Sequence, residues 1–155
     1  MKLENFADKQ PTLKIEEYFL GKTTASGLFI DRLGKVRRQF TVEMEGIQQG
    51  DIFILNETFL YDDGEEEFRR WEIKKTGEKT YEGTSEDIKG IALGERSGNA
   101  INWHYTLKLK YGDGIMNVKF DDWLIMQDDK NVFNKATMKK FGIRLGDVYL
   151  FFTKQ

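Results

Sequence analysis

Turn-forming residues punctuate this chain roughly every 11–15 residues from Gly21 onward, with one longer gap between Glu78 and Ser97, and the segments between them alternate polar with apolar. The signals are Leu33-Gly34, Gln49-Gly50-Asp51, Asp62-Asp63-Gly64, Thr76-Gly77-Glu78, Ser97-Gly98-Asn99, Gly112-Asp113-Gly114, Asp128-Asp129-Lys130-Asn131 and Gly142. Over 101–111 every odd residue is apolar (Ile101, Trp103, Tyr105, Leu107, Leu109, Tyr111) and every even one polar, Asn102 and His104 included. Over 35–46 the apolar side is even, carrying Val36, Phe40, Val42 and Met44. A strand with this pattern has one wet and one dry face.

The spacing predicts strands over 22–32, 35–46, 51–61, 66–76, 79–85, 90–96, 100–111, 115–127, 131–141 and 144–153. About ten short strands in sequence order curl until the sheet closes or splits. Closure removes the edges, so the expectation is an all-β, lipocalin-like (calycin-type) barrel built as an antiparallel meander, with a sandwich as the alternative. Ahead of the strands, residues 1–12 form a polar lead-in holding the only proline, Pro11. Thr12 is placed to cap one short helix over 13–20, ended by Gly21. No helical periodicity follows, which excludes βαβ folds, and residues 13–155 read as one barrel domain.

Composition removes several functions. The 24 basic and 26 acidic residues are intermixed and leave a net charge of −2, so no basic block follows a phosphate backbone and nucleic acid is not expected as a partner. Without cysteine there is no disulfide, thiolate metal site or thiol catalysis. The single histidine, His104, falls on a wet face, so no zinc site is expected. The pairs Asp62-Asp63, Asp121-Asp122 and Asp128-Asp129 are read as serving turns or facing opposite sides of a strand, not as calcium or acid–base sites. No nucleophile–base constellation is visible; neither an enzymatic activity nor a cofactor is expected. The longest apolar runs, about five residues, fall short of the roughly 18 that a membrane-crossing helix needs.

Strand parity also puts polar groups on dry faces. Arg38 falls in the apolar series of its strand, and Arg69 shares a side with Trp71 and Ile73. Asp122 interrupts Met116, Val118, Phe120, Leu124 and Met126, while Asn134 interrupts Val132, Ala136 and Met138. Buried charge is costly unless paired. Two explanations stand side by side. The arginines hold the carboxylate or phosphate head of an amphipathic ligand; or they pair with Asp122 and close a filled barrel.

The strings GLFIDRLGKVRRQFTV, YDDGEEEFRRW, TYEGTSEDIKGIALGERSGNAINWHYTL, FDDWLIMQDD and NKATMKKFGIRLGDVYLFF resemble a bacterial lipoprotein family known as domain-of-unknown-function family 3833. The likeness runs from about Leu13 to Phe152; Ser26 departs from it, standing where the family pattern has tryptophan. The resemblance implies a precursor with a signal peptide ending in a lipid-modified cysteine, hence an N-terminal lipid anchor on the periplasmic face of the cell envelope. It also implies a lipid-related role. The combined expectation is a non-enzymatic domain binding a fatty-acid-like or other apolar ligand. Arg38 and Arg69 would hold the head, Asp122 and Asn134 would sit beside it, and Phe40, Trp71, Trp103, Tyr105, Phe120, Met126 and Met138 would form the wall. The alternative is a structural or interaction lipoprotein with a filled barrel.

Overall fold

The computed structural model describes residues Met1–Gln155, save the side chain of Tyr111. Ten antiparallel strands close into a barrel: β1 (Gly21–Asp31), β2 (Val36–Gln49), β3 (Ile52–Tyr61), β4 (Glu66–Lys75), β5 (Thr80–Thr84), β6 (Ile88–Ser97), β7 (Ala100–Tyr111), β8 (Gly114–Met126), β9 (Asn131–Lys140) and β10 (Ile143–Lys154). Each pairs with its neighbours in sequence, and β10 returns to β1, with Ala25 opposite Phe152 and Phe29 opposite Val148. The expected meander and its closure are thus the observed ones. The inward position expected of Tyr111 lies outside the described side chains.

The helix is shorter than expected. A 3-10 turn spans Leu3–Phe6, and α1 covers only Ile15–Tyr18, without a side-chain cap; Thr12 bonds Gln10 instead. The cause is Leu13, which is fully buried and donates its backbone N–H to the Gly98 carbonyl at 3.0 Å. That bond fixes Leu13, and Lys14 is still extended, so the helix starts only at Ile15. Leu13, Ile15, Tyr18 and Phe19 then plug one end of the barrel against Met44, Phe53, Leu55, Ile73, Tyr81, Ile101, Leu124, Met126, Val132 and Phe152. Close approach of α1 depends on Gly46, where any Cβ would collide with the Phe19 carbonyl oxygen. Lys154 donates to the Tyr18 and Leu20 carbonyls, satisfying groups left open at the helix end.

The lead-in lies on the outer wall. The Phe6 ring meets Trp123 with centroids 5.8 Å apart, and this changes the environment of Asn102, which pairs with Trp123 across β7 and β8. Expected on the wet face, Asn102 is instead buried and donates to the Asp121 carboxylate at 2.8 Å. His104 is exposed, as its parity requires.

Candidate functional site

The inward-facing residues divide the barrel into two halves. Toward α1 they are buried and mostly apolar, the exceptions being Thr23 and Arg96, whose Nε donates to the Glu78 carbonyl at 3.2 Å. Toward the opposite mouth, Phe29, Arg38, Phe40, Tyr61, Arg69, Trp71, Tyr105 and Asp122 point inward but keep solvent-accessible surface. Part of this half is filled: Ile88, Leu107, Val118, Phe120, Ala136 and Met138 pack into a second apolar cluster along β6–β9. Trp71 and Tyr105, whose rings meet edge-on at 5.7 Å, pack against both clusters.

A polar cluster crosses the middle of the barrel. Arg69 donates through Nε to Asp87 at 2.8 Å and stands 4.0 Å from Glu57, with its guanidinium over the Phe59 ring. Glu57 also accepts from the Trp71 indole N–H at 3.0 Å. Burial pushes the Glu57 carboxyl up to about 7; the Arg69 charge and the Trp71 bond only partly oppose it. Asp122 accepts from the Tyr105 hydroxyl at 2.8 Å and from the Asn134 side-chain amide, which also donates to the Trp123 carbonyl at 2.7 Å. Burial raises Asp122 to about 6 against these two bonds.

These contacts correct the expected pairing. Neither arginine bonds Asp122. Its direct partners across the sheet are Trp103 and Ala136, and its carboxylate finds neutral donors on the neighbouring rows. Arg69 takes its counter-charge from Asp87, in the β5–β6 connection. Arg38 sits at the mouth, its guanidinium 3.5 Å from the Tyr61 ring centroid and paired with Glu65 at 3.0 Å and Asp63 at 3.6 Å. Both carboxylates are more than half exposed.

The expected wall residues are dispersed. Phe40, Trp71 and Tyr105 stand near Arg38 and the polar cluster, packed against the apolar core. Phe120 and Met138 belong to the filled apolar cluster, Met126 lies at the plugged end, and Trp103 is packed between Trp71 and Tyr81. Two members of the site were missed. Glu57 was legible, since Phe53, Leu55, Glu57, Phe59 and Tyr61 alternate on one face of β3. Asp87 lies in a turn, where parity carries no information.

Outside the barrel, a shallow hollow of about 550 Å³ lies over β1–β3, β9 and β10. Its lining includes Ser26, Thr41, Leu28, Leu60, Phe133 and Phe151, and reaches Phe40 and Tyr61.

A closed ten-stranded antiparallel meander with a plugged end and a mixed polar–aromatic mouth is a lipocalin-like, calycin-type barrel fold. Solved structures share this fold. One is the S-type phycobiliprotein lyase CPES from Guillardia theta, with a TM-score of 0.63 and 8% identity, covering 99% of this chain and 96% of that one. Another is Rv2717c from M. tuberculosis, with a TM-score of 0.62 and 13% identity, covering 96% of this chain and 99% of that one. No curated protein matches the sequence. Residues 1–154 match the family described as "Protein of unknown function (DUF3833)", and the chain belongs to that family.

Proposed function

We propose that this barrel is a non-enzymatic binder of a fatty-acid-like or other amphipathic small molecule, held in the crevice at its open mouth. The observation that carries the reading is the contrast in burial. Residues facing inward at the plugged end are sealed, whereas Phe40, Tyr61, Trp71 and Tyr105 at the mouth keep accessible surface. Apolar walls with a few convergent polar groups suit such a ligand. Of the two arginines, Arg38 is the one for the head group. Its present partners are solvated carboxylates that a ligand carboxylate could replace, while Arg69 is balanced by Asp87 and Glu57. The resemblance to lipid-anchored envelope proteins supports a tethered position on the periplasmic face.

The test is calorimetric titration with dodecanoic acid and dodecanol at low salt. Both bury the same tail, so only the carboxylate contact with Arg38 separates them. The acid is expected to bind more tightly, and Arg38→Ala to remove the difference. Equal affinities would take Arg38 out of the head-group role, and a folded protein that binds neither would reject the reading. A second reading, an interaction protein with a filled barrel, is favoured by the outer hollow between Leu28, Leu60, Phe133 and Phe151, which a partner's apolar side chain would fit.

A further inference from the structure

The mouth of the barrel is electrically divided. Residues 62–67, the β3–β4 turn and the start of β4, contribute Asp62, Asp63, Glu65, Glu66 and Glu67 and no basic residue. The other side is built from three hairpins that stand side by side, because β2, β1, β10, β9, β8 and β7 are consecutive around the barrel. Residues 31–37, 108–119 and 139–147 contribute Arg32, Lys35, Arg37, Lys108, Lys110, Lys119, Lys139, Lys140 and Arg144 against Asp31, Asp113 and Asp147. Arg37 and Arg144 are paired with Asp31 and Asp147 at 3.1 and 2.7 Å. Among the described residues, the other seven have no carboxylate within 4.0 Å.

Each basic hairpin also lifts a large apolar side chain into solvent. Leu33 is 85% exposed, Ile115 68% and Phe141 90%, with Val36 and Ile143 beside them. Phe141 holds a φ of 53°, a left-handed conformation unusual for a bulky residue, and Gly142 completes the turn at φ 75°. Beneath these tips, Lys119 stands directly opposite Lys139, and Lys139 opposite Arg144. Like charges facing each other across a sheet are destabilising. A counter-anion laid over the ladder relieves that repulsion.

We propose that this basic sector of the mouth docks on an anionic lipid surface, with Leu33, Ile115 and Phe141 entering the headgroup layer and the lysines contacting its negative charge. Single apolar residues on separate hairpin tips, ringed by long cationic side chains, suit a fluid anionic interface. The acidic hairpin would face away from it. This inference uses none of the interior residues and stands whether or not the crevice takes a ligand.

Co-sedimentation with vesicles of phosphatidylcholine alone, and of phosphatidylcholine with about one-third phosphatidylglycerol, tests it. The full chain is expected on the anionic vesicles only, and high salt should release it. Lys139→Ala should weaken partition about fivefold, the worth of one surface charge. Leu33→Ser combined with Phe141→Ser should abolish it, whereas Phe68→Ser, exposed on the acidic side, should change nothing. All these side chains are exposed, and circular dichroism would check that each variant folds. Equal partition on both vesicle types, none on either, or an equal loss with Phe68→Ser would overturn the proposal. So would a dimer that depends on Phe141 in a protein that ignores the vesicles.

Discussion

Both ends of the barrel are made from the same alternating strands, yet they bury different things. At the end closed by α1, inward positions hold Phe53, Leu55, Ile73, Ile101, Leu124 and Phe152, and the short helix adds Ile15, Tyr18 and Phe19 to fill what remains. At the mouth, the same pattern delivers Glu57, Arg69, Asp122 and Asn134 to the interior and leaves Phe40, Tyr61 and Trp71 partly in contact with water. One end is held mainly by apolar burial; the other exchanges part of that stabilisation for a charged, partly accessible interior.

The contrast is broken most directly by truncating one ring at each end. Phe53→Ala should cost about 3–5 kcal/mol in urea unfolding, as for other buried phenylalanines. Phe40→Ala, at a ring already partly exposed, should cost about 1–2 kcal/mol. Equal costs would mean that the two ends are packed alike. Next is Arg69→Ala, which leaves Asp87 and Glu57 facing each other without a cation; about 2–4 kcal/mol is expected after allowing for partial exposure. A loss below about 0.5 kcal/mol would place Arg69 in bulk solvent.

A pH series sharpens the comparison further. Glu57 ionises at about 4.5 when unfolded and at about 7 in the barrel, so across that window the folded state keeps a proton that the unfolded chain has released. Stability must therefore fall as pH rises from about 4.5 to 7, and Asp122 adds the same sign of effect up to about 6. Glu57→Gln, which retains an acceptor for Trp71, should raise stability by about 2 kcal/mol near pH 8 and by little near pH 4. A variant less stable than the parent at both pH values would show that the Arg69 attraction outweighs burial. The smallest effect belongs to Arg38→Ala, under about 1 kcal/mol, because its ion pairs are solvated; thermal melts in low and high salt would measure it.

The barrel was legible because each strand states its own inside and outside, and ten such statements agree. Parity gave Arg69, Asp122 and Asn134 their inward direction for the same reason. What it did not give was who meets whom. Asp122 bonds Tyr105 and Asn134 because the stagger of adjacent strands brings those rows together, and one strand read alone has no stagger. Asp87 reaches Arg69 from a turn, 18 residues away, where no periodicity applies. Asn102 was misplaced because a segment outside the barrel, the 3-10 turn Leu3–Phe6 with its Phe6 ring, covers that stretch of wall. Alternation describes a sheet's two faces; it does not register what is later laid on the outer one.

The seam between β1 and β10 has a consequence for how the molecule is made. Nine of the ten strand pairings join neighbours in sequence and can form as the chain lengthens, but Thr24 meets Thr153 only when nearly all of it exists. Until then Gly21–Asp31 and the newest strand each present a row of unpaired backbone groups to any other chain nearby. Contacts so distant in sequence form slowly. During synthesis the vulnerable species is thus an unzipped sheet rather than an unfolded coil, and the last strand is what converts an aggregation-prone ribbon into a molecule without edges.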